Sequence, residues 1–137
     1  MLIILVTGVT GAFSQTTSPT GTGAKVYLIR HTGYNGSALN FHCFIDSQLV
    51  CNLKNKRYSI HQVSPGTHLI NVNIYKKDFK SAEAGINLEV EDNKVYYVKL
   101  LPGKAYSFKG ADKLLVVSES TAKPVLAKCK EQTACLN

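Results

Sequence analysis

Tryptophan is absent from this chain of 137 residues, and methionine occurs only once. Acidic residues are also scarce, because 9 Asp and Glu stand against 16 Lys and Arg, which gives a formal net charge of +7. Hydrophobic residues make up 45% of the chain and charged residues 18%, a globular composition that argues against intrinsic disorder. The length predicts one domain. The excess of positive charge raises the question of an anionic partner, but it says nothing about the fold.

Motifs for catalysis and metal binding are also missing. The sequence contains no G-x-S-x-G, no glycine-rich phosphate loop, no Cys-x-x-Cys and no His-x-x-x-His. His42 and Cys43 are neighbours on a predicted strand, so their side chains point to opposite faces and cannot bind one ion together. We therefore expect no metal site, no cofactor and no enzymatic activity.

The N-terminus has the features of a secretory signal peptide over residues 1–14. An apolar run is followed by Ala12-Phe13-Ser14, which fits the small-x-small pattern of a cleavage site, although a basic n-region is missing. The run is shorter than the roughly 18 residues that a spanning helix needs. A membrane anchor and a buried strand are the alternatives. We expect an exported protein, periplasmic or secreted and not membrane-spanning after cleavage, with residues 15–23 as a flexible linker.

The body of the chain, residues 24–119, is predicted to form a β-sandwich. Short segments of alternating apolar and polar residues, separated by turn residues, are typical of antiparallel sheets. We expect an all-β fold, an antiparallel β-sandwich of about seven or eight short strands. Residues 120–137 are predicted to be a helical tail, with Ser120 or Thr121 as the cap and Pro124 in the first turn.

A proline and a glycine separate two of the alternating segments. Pro65 fixes one turn dihedral, and Gly66 accepts the positive φ that a type II turn requires. His68 is in phase with the apolar residues that follow it, so we expect a half-buried histidine with one ring nitrogen bonded to the backbone. Pro65, Gly66 and His68 are therefore interpreted as a structural turn, whereas the pattern leaves the exposure of His61 open.

Four features of the sequence form a recognisable set: an opening strand with Arg30, a hairpin at Asp46, the corner Pro65-Gly66-Thr67-His68 and the late strand Tyr96-Tyr97-Val98. They resemble the pattern of DUF2846, a family of exported bacterial proteins related in style to PEGA and other transthyretin-like modules. The resemblance covers roughly residues 24 to 130. It implies a transthyretin-like or immunoglobulin-like sandwich and export, and it supplies no activity and no catalytic residue.

The chain departs from the pattern of this family at two turns. Ser47 stands where the hairpin glycine is usual, and Lys56 or Arg57 stands where another glycine is common. Both departures concern the geometry of hairpins and leave the expected fold unchanged. Many members of the family carry a lipoprotein cysteine that this sequence lacks, so membrane attachment is not carried over.

Disulfides are the expected use of the four cysteines in an exported chain. If the hairpin that contains Cys43 and Cys51 has a three-residue loop, these residues lie directly opposite each other, whereas a two-residue loop separates them. Cys129 and Cys135 can close a short loop after the helix. We expect Cys43 to pair with Cys51 and Cys129 with Cys135, with free buried thiols as the alternative.

Basic residues concentrate in two bends of the sequence. If both bends lie at the same end of the sandwich, they can form a patch for an anionic glycan, a lipid headgroup or an acidic protein. Solvated loops are the alternative interpretation. Nucleic acid is not expected, because no stacking aromatic residues interleave with these cations. The residues of the patch are Lys54, Lys56, Arg57, Lys76, Lys77 and Lys80.

These patterns together predict an exported, non-catalytic β-sandwich with a structural or interaction role in the cell envelope and an envelope protein as its partner. The first alternative is a secreted or periplasmic ligand-binding domain whose basic loops hold an anionic glycan or lipid. The second alternative is a small enzyme that depends on Cys43 or Cys51, which requires an exposed cysteine that forms a thiolate.

Overall fold

The computed structural model describes residues 23–32, 39–73, 85–101 and 114–136. The predicted signal peptide and all but the last residue of the predicted linker lie outside these ranges. Lys76, Lys77 and Lys80 also lie outside them.

The described residues form nine strands and one helix, and the predicted all-β sandwich with a short C-terminal helix is confirmed. The elements follow the segments whose alternation of apolar and polar residues predicted strands. In chain order they are β1 (Ala24–Arg30), β2 (Phe41–Ile45), β3 (Gln48–Leu53), β4 (Arg57–Val63), β5 (Gly66–Asn73), β6 (Ile86–Val90), β7 (Val95–Leu100), β8 (Leu114–Val117), α1 (Glu119–Leu126) and β9 (Lys130–Glu131).

The strands are arranged in two sheets, with the orders β8-β7-β1-β4-β9 and β3-β2-β5-β6. The second sheet is antiparallel throughout, whereas the first contains two parallel pairs, β1 with β7 and β4 with β9. The alternation of residues did not indicate these parallel pairs. The chain enters β7 beside the start of β1, because the Asn93 N–H donates to the Gly23 carbonyl at 3.0 Å.

The inner faces of the two sheets enclose one apolar core. Alternate residues of each strand point inward, as the period of two requires. The buried members of this core are Ala24, Val26, Leu28, Phe41, Cys43, Cys51, Leu53, Ile70, Val72, Leu88, Val90, Val98, Leu100 and Leu114.

The hairpin between β2 and β3 combines a two-residue turn with an irregularity in the ladder. Asp46 and Ser47 both have positive φ, at 50° and 70°, the backbone that a tight two-residue hairpin requires. The register then shifts beyond Cys43, as at a β-bulge, so that Cys43 lies directly opposite Cys51. The sequence predicted that Cys43 and Cys51 lie opposite each other only with a three-residue loop. The bulge gives the same pairing with a two-residue loop.

A buried arginine connects the two sheets. Arg30, at the end of β1, is fully buried, and its Nη1 donates to the carbonyls of Leu39 at 2.5 Å and Leu53 at 2.7 Å. Its guanidinium lies 3.7 Å from the centre of the Phe41 ring, within the range of a cation–π contact. Burial lowers the pKa of Arg30 to about 10, so the side chain stays protonated at neutral pH.

We expect the variant R30K to lower the free energy of unfolding by about 2–4 kcal/mol, because an ammonium cannot reproduce the planar fork that serves buried carbonyls. The matched control is R57K, at the half-exposed start of β4, where we expect a change within about 0.5 kcal/mol. Urea denaturation of both variants measures the difference. An R30K protein as stable as the unmodified one would contradict the inter-sheet role of Arg30.

The helix begins earlier than predicted. Ser118 is its N-cap, because β8 ends at Val117 and the Ser118 hydroxyl accepts a hydrogen bond from the Thr121 N–H at 3.4 Å. The predicted cap at Ser120 or Thr121 is therefore wrong, and Pro124 lies inside the helix and not in its first turn. Within the described residues, no helix is long and apolar enough to cross a membrane.

The C-terminal segment, residues 127–136, returns to the sandwich and joins the edges of the two sheets. On the first sheet, β9 runs parallel to β4, and the Gln132 N–H donates to the Tyr58 carbonyl at 2.8 Å. On the second sheet, the Asn52 N–H of β3 donates to the Cys135 carbonyl at 2.7 Å. A disulfide between Cys51 and Cys135 completes this attachment.

The disulfide found here corrects the predicted pairing. Cys51 is bonded to Cys135, while Cys43 and Cys129 are free thiols, so the pairs Cys43–Cys51 and Cys129–Cys135 are wrong. The reason is the path of the C-terminal segment, which carries Cys135 across to β3 and leaves Cys129 on the first sheet, with its Sγ 3.7 Å from the Arg30 carbonyl.

Candidate functional site

The bend between β3 and β4 presents three of the predicted basic residues on a fixed backbone. Lys54 and Lys56 are exposed and Arg57 is half-buried. The Asn55 carboxamide oxygen holds the bend, since it accepts from the backbone N–H groups of Thr32 and Lys56, both at 2.9 Å. Lys56 itself has a φ of 56°. The bend is thus built into the fold, and its cations project from a defined backbone.

The C-terminal segment brings Lys130 beside this bend, two residues after a further exposed lysine. Lys130 lies opposite Arg57 in the parallel pair of β9 with β4, and its N–H donates to the Lys56 carbonyl at 3.1 Å. Lys128 precedes it by two residues, and both lysines are exposed. No local pattern in the sequence indicates this contact. We call the combined surface the basic end, formed by Lys54, Lys56, Arg57, Lys128 and Lys130.

The side chain of Gln132 joins the C-terminal segment to the bend from the other side. Its carboxamide oxygen accepts from the Lys54 N–H at 2.9 Å, and its Nε2 donates to the Asn52 carbonyl at 2.7 Å. Two backbone positions at the end of β3 are therefore bound by one side chain. The basic end is assembled from two parts of the chain that are far apart in sequence.

Three carboxylates lie on turns at the opposite end of the sandwich, whereas Glu131 follows Lys130 in β9. Asp46 is on the turn before β3, and Glu91 and Asp92 are on the turn between β6 and β7. The Asp92 carboxylate accepts from the Gly23 N–H at 3.0 Å, next to the start of β1. Glu91 forms an ion pair with Lys94. The basic end therefore combines five cations with the exposed Glu131.

Three cations of the predicted patch, Lys76, Lys77 and Lys80, lie outside the described residues. The strand before them, β5, ends at Asn73, which pairs with His42, and His42 in turn pairs with Asn52 of β3. The last residue of β5 therefore lies level with Asn52, near the end of β3 that leads into the basic end.

The corner at Pro65 and Gly66 is organised by His68. Gly66 has the expected positive φ, at 130°. The ring of His68 is about nine-tenths buried, with 9% of the residue exposed; Nδ1 lies 2.5 Å from the Asp46 carboxylate and Nε2 lies 2.6 Å from the Ser64 carbonyl. Hydrogen bonds to Asp46 and Ser64 raise the pKa of His68, and the bond to His68 lowers the pKa of Asp46. Protonated His68 donates through both nitrogens, so neither is available as a base.

This ion pair predicts a specific dependence of stability on pH. The raised pKa of His68 stabilises the fold below 6.5, its ordinary value, and the gain is lost as the pH rises through the folded-state pKa. The lowered pKa of Asp46 stabilises the fold above 3.8, and that gain is lost as the pH falls through the folded-state pKa. The pair therefore contributes most between these two values.

We expect the variant D46N to be less stable than the unmodified protein at about pH 5 and to approach it at about pH 9. Asparagine can still accept the hydrogen bond that the Asp46 Oδ1 receives from the Leu69 N–H at 2.9 Å, so the ion pair is the main loss. Urea denaturation at both pH values measures the effect, with D92N as the matched control. A D46N deficit that is equal at both pH values would contradict a charged His68.

His42 and His61 also make hydrogen bonds within the fold. The buried His42 ring donates from Nδ1 to the Asn52 side-chain oxygen at 2.5 Å. His61 Nε2 is hydrogen-bonded to the Ser59 hydroxyl at 2.8 Å, and burial lowers the pKa of His61. Among the described residues, no group of three His, Cys, Asp or Glu side chains is placed to hold a metal ion.

The two free thiols are unlike reactive cysteines. Burial raises the pKa of Cys43 to about 12, against a smaller opposing effect of the Arg30 charge. Burial also raises the pKa of the half-buried Cys129. A nucleophilic or metal-binding cysteine needs the thiolate form, which raised pKa values disfavour.

The fold and the site define a small β-sandwich domain with one cationic end and a disulfide-anchored C-terminal segment. The chain belongs to the family described as protein of unknown function, DUF2846, which matches residues 21–110. A comparison with curated proteins finds no match, and neither does a comparison with solved structures. The helix, β9 and the disulfide partner Cys135 follow the matched region.

Proposed function

We propose that this protein is an exported, non-catalytic β-sandwich domain that acts by binding other components of the cell envelope. The main support is that several side chains that could serve as catalytic groups or metal ligands make structural contacts instead. Ring nitrogens of His42, His61 and His68 make hydrogen bonds within the fold, and Cys51 is part of a disulfide. The four lysines of the basic end, by contrast, are exposed.

Export is supported by the disulfide. Disulfides form and persist in oxidising compartments and are rare in the cytosol. The Cys51–Cys135 bond is consistent with such a compartment. Together with the signal-like features of residues 1–14, it favours a periplasmic or secreted protein.

The proposed binding role is tested by photo-crosslinking in the native cell envelope. A photoreactive residue is placed at exposed Val116 of β8 and, separately, at Lys56 of the basic end, with buried Val98 as the control position. We expect a discrete adduct of higher mass from at least one exposed position, because a bound partner lies within reach. If neither position yields more adduct than Val98, these two surfaces carry no partner and the proposal fails for them.

Binding of an anionic ligand is the second candidate function. The specific observation in its favour is that Lys130 lies beside the bend with Lys54 and Lys56, on a backbone held by hydrogen bonds. Cations on a fixed backbone lose less conformational freedom on binding than cations on a mobile loop. The ligand chemistry is a sulfated or carboxylated glycan or an anionic lipid headgroup.

The variant K130E tests this second function, with K25E at the far end of β1 as the matched control. At low ionic strength we expect K130E to weaken binding about tenfold and K25E to change it far less, with both effects falling as salt is added. Binding is measured separately to a sulfated polysaccharide and to phosphatidylglycerol vesicles, which distinguishes glycan from lipid. Equal losses in the two variants would indicate non-specific attraction and would exclude a site at the basic end.

A further inference from the structure

Cys51 has two neighbouring cysteines in the folded protein. It is bonded to Cys135, and it lies directly opposite Cys43 in the pairing of β2 with β3. Cys43 is 1% exposed and Cys51 is fully buried, and the partly buried Cys135 packs against the same core. Three sulfur atoms are therefore gathered in one part of the core, and only two of them can be joined.

Cys43 and Cys51 are positioned for a disulfide of their own. Directly opposite residues on antiparallel strands point to the same face, with Cα atoms about 4.5–5.5 Å apart. That separation overlaps the range in which disulfides form, about 4.4–6.8 Å. The Cα atoms of the existing pair, Cys51 and Cys135, are 4.3 Å apart. Both pairings of Cys51 are thus compatible with the same sandwich.

We propose that Cys51 changes its partner as the protein matures: a Cys43–Cys51 disulfide forms first, and Cys135 then displaces Cys43. In the first step the two thiols lose two protons and two electrons to a small-molecule disulfide, which is reduced to two thiols. In the second step the Cys135 thiolate attacks the Cys51 sulfur and forms the new bond. The Cys43–Cys51 bond breaks, and its electron pair leaves on Cys43, which takes a proton from water.

The chain favours the Cys43–Cys51 pair at the start. The residues of this pair are eight positions apart, whereas Cys51 and Cys135 are separated by 84 residues. Closure of the shorter loop in an unfolded chain is favoured roughly thirtyfold by the scaling of loop entropy with length.

The folded protein favours the Cys51–Cys135 pair at the end. The Asn52 N–H holds the Cys135 carbonyl, and the Gln132 side chain holds Asn52 and Lys54, so docking of the C-terminal segment brings Cys135 beside Cys51. Once displaced, Cys43 is enclosed in the core, and burial keeps it as a thiol, which attacks disulfides poorly. The hydrogen bonds that dock the C-terminal segment therefore favour the Cys51–Cys135 pair in the folded protein. The exchange does not depend on the ligand or partner proposed above.

The test uses the full chain with Cys129 changed to Ser, so that only the three cysteines remain. The reduced protein is refolded with glutathione disulfide, quenched with N-ethylmaleimide at intervals and mapped by mass spectrometry without reduction. We expect the Cys43–Cys51 peptide to appear first and to decay as the Cys51–Cys135 peptide rises. In the variant C135S we expect the Cys43–Cys51 disulfide to accumulate and persist.

The variant C43S supplies the comparison for the rate. It cannot form the first disulfide, so we expect Cys51–Cys135 to form several-fold more slowly than in the three-cysteine protein. The proposal is overturned if Cys51–Cys135 rises at the same rate in both proteins with no earlier Cys43–Cys51 peptide. Because the time course uses the protein that retains Cys135, a failure of C135S to fold does not affect this outcome.

Discussion

The attachment of the C-terminal segment to β3 is the constraint on which the basic end of this domain depends. The disulfide from Cys51 to Cys135 fixes the segment on the second sheet, while β9 pairs with β4 on the first. Between these two points, Gln132 binds the backbone of the β3–β4 bend and Lys130 lies beside Lys56. The disulfide therefore acts together with these hydrogen bonds to hold Lys130 beside the β3–β4 bend.

The same end of the sandwich contains the one fully buried arginine among the described residues. Arg30 bonds to the Leu53 carbonyl, next to the bend, and to the Leu39 carbonyl across the core. The free-energy cost of burying the Arg30 charge is offset by these hydrogen bonds and by the cation–π contact with the Phe41 ring. This arrangement gives a structural meaning to the arginine that the DUF2846 resemblance placed on the opening strand. The opposite end is organised by the ion pair of Asp46 with His68.

Features that arise from local patterns could be predicted, and features that depend on distant contacts could not. The strands were predictable because alternation of apolar residues follows directly from the pleat. The partner of Cys51 was not predictable, because it depends on the path that the chain takes after α1. Likewise, Lys130 joins Lys56 only through the pairing of β9 with β4. The bulge near Cys43 was not predictable either, because it depends on how β3 pairs with β2. Even the helix start at Ser118 depended on where β8 ends.

The central claim is that the mature protein carries one disulfide, between Cys51 and Cys135, which anchors the C-terminal segment. The most direct measurement is peptide mapping, without reduction, of the protein isolated from its native compartment after its free thiols are alkylated under denaturing conditions. We expect a peptide that joins Cys51 to Cys135, together with alkylated Cys43 and Cys129. A Cys43–Cys51 peptide as the main species, or four alkylated cysteines, would contradict it and would leave the basic end without its anchor.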